Sequence, residues 1–497
     1  MLTKALCFVL ATAICDLLAP SSLAHAQPED TGFHQGYPSA AKAQELRDEL
    51  FYQRAVQAYL WALPALNMYG MKEGSERVFG AGYNVLPIFK ERLNAKTVVT
   101  TPNSDVIYAM GYVDLAETGP LVIEVPPGLQ GILDDFMQRP ICMEKAIGNH
   151  TFCGDVGLPG PDQGHGGKYL LLPPDYTGKV PDQGYFVFRS RTYGVFVFWR
   201  GFFKNPKDLA APVAVMEQTR IYPLGKEATA KKMVFPDASA KPANLLFPTD
   251  GTAFDMLSRY VDHEYVDPQD MEMRGVLASL GIVKGQPFKP DAHTRSILDR
   301  AARTAFDMSR ALSYETRQQA PGQSYYPDRQ WMNPFPENAT FTAKSYNQVD
   351  SRIKFFTLAY STSPGMAINM EKVGAKYPFT AWDSKGQYLS GDKTYRLRLP
   401  KGIPAALFWS VTAYDSVTAS GLDNGQPFPS LNAMDQPKAN ADGSTDIWFG
   451  PDKPGDANAN WIRTVPGKGF FVLLRLYGPT HPFFDKSWVP GDLEPQG

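Results

Sequence analysis

Proline and glycine punctuate this chain throughout. There are 42 of each, and they cut most of it into short segments. The apolar runs between them are short, aromatic and β-branched: PLVIEVPP, GYFVFRS, YGVFVFWRGFF, TYRLRLP, ALFWSVTAY and GFFVLLRLYGP. Each is bounded by Gly, Pro, Asn or Asp. That pattern predicts antiparallel strands of a sandwich or barrel, not alternating βα units.

Two stretches depart from it. Between Ala40 and Tyr69, the residues Leu50, Ala55, Tyr59 and Leu60 form a helical apolar stripe, which Pro64 is expected to end or kink. Between Phe254 and Ser313, a 3.6-residue period runs through Ile297, Leu298, Ala301, Ala305 and Met308. The expected organisation is a helical segment over 40–84, a first β domain over 85–250, a helical insert over 251–344 and a second β domain over 345–497. The two β regions share short features in the same order. LVIEVPPG matches YRLRLPKG, and Arg191-Thr192-Tyr193-Gly194 matches Arg475-Leu476-Tyr477-Gly478. Jelly-roll sandwiches suit short strands with long Pro/Gly connections.

The 497 residues allow two or three domains, and 43% hydrophobic content supplies a core. The formal net charge of −2 gives no basic surface for a phosphate backbone, so no nucleic-acid partner is expected. The N-terminus reads as a secretory signal: Lys4, an apolar stretch Ala5–Leu18 and the site Ala24-His25-Ala26. Asp16 interrupts its apolar stretch. Cleavage after Ala26 would leave 497 − 26 = 471 residues with no membrane span, periplasmic or secreted. Cys142 and Cys153 would then share an oxidising compartment, as a loop disulfide or as two separate buried thiols.

TTPNSDVIYAMGYVDL, residues 100–115, resembles the TPN-x-D-x-x-Y signature of domain-of-unknown-function family 1254. FWSVTAYD, NWIRTVPGKGFFVLLRLYGP and FFDKSWVPGDLE resemble domain-of-unknown-function family 1214. The resemblance implies two jelly-roll-like β-sandwich domains with helices between them in an exported protein. It implies no chemistry. The segment DDFMQRPICMEKAIGNHTFCGD departs from the expected apolar strand and is a candidate binding edge.

Candidate site residues follow from strand ends and aromatic content. Asn103, Ser104 and Asp105 form either an Asx-turn or a polar site at the start of a strand, with Asp105 as a general acid or base. Tyr108 follows in the same signature. Strand alternation puts Arg189, Arg191 and Tyr193 on one face, able to grip a carboxylate or sugar hydroxyls, or simply solvated. Arg200 lies on a neighbouring Phe-rich strand. Trp409, Tyr414 and Asp415 could form a sugar platform beside a carboxylate, or core packing. Glu124, Asp383 and Asp423 are further carboxylates at strand ends or turns. There is no HExxH, GxSxG or P-loop, and no metal site is expected. NADGSTD, Asn440–Asp446, spaces oxygens like the start of a calcium loop but lacks the closing Glu, and Asp442-Gly443 is more simply a hairpin turn.

Three functions fit. The first is a glycosidase-like hydrolase on a carbohydrate or similar polar substrate, with Asp105 and Asp415 as acids. The second is a non-catalytic ligand-binding or structural protein, with a homo-oligomer as one form. The third is a metal-dependent oxidation enzyme, which would need histidines to converge. An enzyme of the first kind should gather carboxylates with raised pKa in a cleft.

Overall fold

The computed structural model describes residues 32–315, 324–335 and 338–496. The expected signal segment, 1–26, lies outside the described residues. The chain forms a short compact unit ending at Leu50 and a large one from Phe51 onward. The short unit holds the antiparallel pair Phe33–His34 and Tyr37–Pro38.

Helix and strand take nearly equal shares, 27% and 26%, so the mainly-β expectation is corrected to a mixed architecture. The long helices account for this. One spans Ala40–Phe79, with Pro64 inside it. Proline removes one backbone bond and normally costs about 3 kcal/mol in a helix interior. Here the helix continues because its second half is packed all round. Residues 58–60 and 62–71 are buried without a break, and tertiary packing rather than propensity carries most helical stability. The Pro64 carbonyl also accepts from Gln138 Nε2 at 2.8 Å. Of the expected stripe, Ala55, Tyr59 and Leu60 are buried and Leu50 is exposed. Helices Thr252–His263, Met271–Ser279 and Ala292–Glu315 follow the first β region. On the last, Leu298, Ala301 and Ala305 are buried, whereas Met308 is exposed.

The first β region has two four-stranded sheets. One runs in the order Ile107–Asp114, Gly194–Gly201, Gln130–Asp135, Asp155–Val156, and the other Arg220–Pro223, Leu121–Val125, Gly167–Leu172, Phe186–Arg189. Ile107, Val197 and Trp199 of the first meet Ile123, Leu171 and Phe188 of the second in one core. The second β region repeats the plan. Its strands Ala405–Asp415 and Phe470–Pro479 pair over most of their length, and their inward residues Val411 and Leu474 meet Leu397 and Phe449 of a facing four-stranded sheet.

One consequence positions the site. The strand Gly194–Gly201 is apolar on both faces. Val195, Val197 and Trp199 fill the core between the sheets, while Phe196 and Phe198 join a second core with Ala62, Leu66 and Tyr69 of the long helix. Phe470–Pro479 behaves in the same way, with Val472, Leu474 and Leu476 on one side and Leu473 and Tyr477 on the other. Between these outward faces lies a cavity. Among the described residues, no helix is long and apolar enough to cross a membrane.

Candidate functional site

Pro102 and the residues after it make the turn that the sequence suggests. The Asp105 amide donates to Asn103 Oδ1 at 2.9 Å, an Asx-turn leading into the strand Ile107–Asp114. Asp105 is wholly buried. One of its oxygens accepts from Arg92 at 3.0 Å and from Asn432 Nδ2 at 2.6 Å, while the other has no hydrogen-bond partner. Arg92 also reaches Asp435 at 3.2 Å. Asp105 therefore ties the two β regions together and lies outside the cavity wall.

Asn103 and Tyr108 do line the cavity. Its volume is about 110 Å³, several times the roughly 10–15 Å³ that one water needs. The wall is mostly apolar, with Phe198, Phe355, Phe471 and Leu473 prominent. Among the described residues, no Asp, Glu, His or Cys lines it. Its polar groups are two arginines, a lysine, several tyrosines, Asn103, Thr101 and Ser313.

Arg200 stands opposite Tyr108 across the antiparallel strand pair. Its Nη2 contacts only the Met366 sulfur, at 3.3 Å, and its Nε is buried without a hydrogen-bond partner. A thioether is a weak acceptor. Arg475 is almost fully buried and reaches neutral oxygens: Thr412 Oγ1 at 3.2 Å, the carbonyls of Thr101 and Pro102 at 3.3 and 3.5 Å, and the Tyr414 hydroxyl. Among the described residues, neither guanidinium has a carboxylate within ion-pair distance. Tyr477, two residues on from Arg475 and so on the same strand face, accepts from Asn103 Nδ2. Burial pushes the Tyr108 hydroxyl up to about 12, even though Arg200 and Arg475 pull it down. Burial also lowers Lys354, another wall residue, to about 8.

The other candidates lie elsewhere. The strand of Arg189 ends at that residue, so Arg191 and Tyr193 sit in the following turn and not on a common strand face. Arg189 is paired with Glu144 at 2.6 Å, Arg191 with Asp267 at 2.6 Å, and Tyr193 donates to Asp175 at 2.7 Å. These pairings hold the fold, with Arg191 tied to Asp267 of the helical stretch. Trp409 is buried in the core between the second pair of sheets. Tyr414 stacks on Phe471 with centroids 5.2 Å apart and donates to the Pro102 carbonyl at 2.6 Å. Asp415 accepts from the amides of Val417 and Thr418 and pairs with Lys468 at 2.9 Å. Burial works against its ionised form, but the bonds from Lys468 and from the Thr418 and Val417 amides together outweigh this and hold its carboxyl below the usual range.

In Asn440–Asp446, Asp442 accepts from Ser444 and both Asp446 oxygens face Arg398, the geometry of a hairpin turn. Cys142 and Cys153 form a disulfide that closes the hairpin within the candidate binding edge. Among the described residues, no group of three or more His, Cys, Asp or Glu is arranged to hold a metal ion.

Residues 83–223 match a family model described as a protein of unknown function, DUF1254, and residues 374–481 match another, DUF1214. The chain carries both domains, in that order. The crystal structure of the VPA0106 protein from Vibrio parahaemolyticus is similar, with 19% identity and a TM-score of 0.50 over 90% of this chain and 100% of that one. The two therefore share a fold. An uncharacterized protein from Burkholderia cenocepacia aligns with 12% identity and a TM-score of 0.38 over 92% of this chain and 96% of that one. No protein of curated function matches. The DUF1254 region supplies Asn103, Tyr108 and Arg200 to the cavity, and the DUF1214 region supplies Arg475 and Tyr477. Each domain contributes one arginine, so the wall is complete only when both are present.

Proposed function

We propose that this DUF1254–DUF1214 protein is a ligand-binding protein that takes up a small molecule in the cavity between its two β domains. The observation that supports this reading is the wall itself. It is aromatic, it is built from both domains, and its few polar groups converge from separate strands, as small-molecule sites do. The two domains read as jelly-roll-like sandwiches, because most connections between successive strands of the first cross from one facing sheet to the other. The protein works outside the cytoplasm, a reading supported by the signal-like residues Lys4 to Ala26.

A carboxylate-based hydrolase finds less support. Asp105 and Asp415, its candidate acids, are each committed to holding the fold, and neither lines the cavity. Metal-dependent oxidation would need converging histidines, and among the described residues none lines the wall.

The test is a thermal-shift screen with benzoate, hexanoate, benzyl alcohol and hexanol, using the wild type and Ala359→Trp. Ala359 lines the cavity, and an indole there would fill it. Ligand that binds only the native state raises the melting temperature. The reading expects a rise with at least one compound in the wild type and none in the variant. No rise in either protein, or equal rises in both, would contradict it.

A further inference from the structure

Resting on that reading, we infer that the ligand is an organic anion, an apolar body carrying a carboxylate, and that Arg200 is the residue that selects for the charge.

Taking a guanidinium out of water is costly unless it is paired and hydrogen-bonded. Natural proteins almost always supply the partner, and elsewhere this chain does so. Arg92 has Asp105 and Asp435, and Arg139 has Asp135. Among the described residues, Arg200 and Arg475 lack such a carboxylate partner, and both line one cavity. Arg200 has a sulfur where an oxygen would be expected, and an orphaned Nε. Arg475 has neutral oxygens at 3.2 to 3.5 Å. Asp155 acts on Arg200 through space, but outside ion-pair distance, and one of its oxygens already accepts from the Gly365 amide at 2.8 Å. Among the described residues, no carboxylate in the wall neutralises the two arginines.

The surrounding groups fit an oxyanion. Because Tyr477 accepts from Asn103, its own O–H remains to donate. Tyr108 is held in its neutral, proton-bearing form by burial and stands across the strand from Arg200. A planar guanidinium fork matches the two oxygens of a carboxylate. The aromatic remainder of the wall accepts an apolar body, and among the described residues no carboxylate lines it to pair with an ammonium group. The two arginines are not equivalent. Arg475 satisfies carbonyls of the Thr101–Pro102 turn and so also holds the fold, whereas among the described residues Arg200 bonds to no protein oxygen through its side chain.

The experiment is calorimetric titration of the full chain with three compounds of one shape: benzoate, benzamide and benzylamine. Wild type, Arg200→Met and Arg200→Lys are compared, and the melting temperature of each ligand-free protein is recorded. Benzoate should bind at least tenfold more tightly than benzamide, and benzylamine should not bind. Arg200→Met should lose at least tenfold in benzoate affinity while benzamide affinity stays unchanged. Arg200→Lys, which keeps the charge but loses the fork, should fall between. Ligand-free Arg200→Met should melt no lower than the wild type, since it removes an unpaired charge. If benzamide binds as well as benzoate, or Arg200→Met leaves benzoate affinity unchanged, the anion inference is wrong and the ligand-binding reading stands. If none of the three binds, both are wrong.

Discussion

Asn432 donates its side-chain amide to Asp105 at 2.6 Å and so joins positions 327 residues apart. With Arg92 bound to the same oxygen, this makes a polar clamp between the DUF1254 and DUF1214 regions in a place that water does not reach. Removing one partner from a buried pair leaves the other charge uncompensated. Asp105→Ala should therefore cost about 3–5 kcal/mol in stability, read as a lower denaturant midpoint. Ligand affinity of the remaining folded protein should be unchanged. Full stability with lost binding would return Asp105 to the site.

Asp415 should behave more mildly. Lys468 is half exposed, so the ion pair contributes about 0–1 kcal/mol, and the turn amides add about 1 kcal/mol. Asp415→Ala should thus be destabilised by about 1–2 kcal/mol. Since its carboxyl is held below the usual range, this stability is present above the unfolded value and is lost as the pH falls through the folded one. The wild type and the variant should converge in acid, measured by denaturation at several pH values. A gap that persists at the acid end would contradict this.

Glu264 predicts the opposite sign. It is fully buried and accepts from the amides of Tyr193 and Gly194, yet burial raises its carboxyl to about 7. A raised carboxyl favours the folded state at low pH, and that advantage is lost as the pH rises through the folded value. His263 beside it is raised by its bond to Asp114, so its contribution is lost in the same direction. The melting temperature should decline between about pH 4.5 and 7. Glu264→Gln, which keeps an acceptor and removes the titration, should flatten the decline. An equally steep variant would move its cause elsewhere.

The Cys142–Cys153 disulfide closes a loop with a sequence separation of 11. In the chain-entropy account, such a loop is worth at most about 3 kcal/mol. Replacing both residues by serine should lower the melting temperature by an amount consistent with that bound. Ligand binding should be unchanged, because neither cysteine lines the cavity. A loss of binding would make the hairpin part of the site.

The strand runs, both helical stretches and the Asx-turn could be read in the sequence, because each rests on local spacing. The strand starting after Asp105 runs from Ile107 to Asp114. The continuation of the helix past Pro64 could not be read, since it depends on what packs around residues 58–71. The site was legible only in fragments. Asn103 and Tyr108 were identified from the signature, and the Arg-x-Tyr-Gly pattern was visible twice. The first copy, Arg191 and Tyr193, forms turn pairings, whereas the second, Arg475 and Tyr477, lines the cavity. What separates them is the partner that each arginine finds across the fold, and spacing along the chain carries no record of that. Arg200 shows the same limit. It sits in a Phe-rich strand where alternation says only which face it takes. That this face is buried against a second domain follows from the tertiary structure alone.

The most direct test of the cavity as a ligand site is a crystal structure of the protein soaked with 4-bromobenzoate, with the bromine located by anomalous scattering. We expect one bromine peak inside the wall formed by Phe198, Phe355 and Leu473, with the carboxylate against Arg200. A peak only at the surface, or an empty cavity in crystals that bind the compound elsewhere, would contradict it.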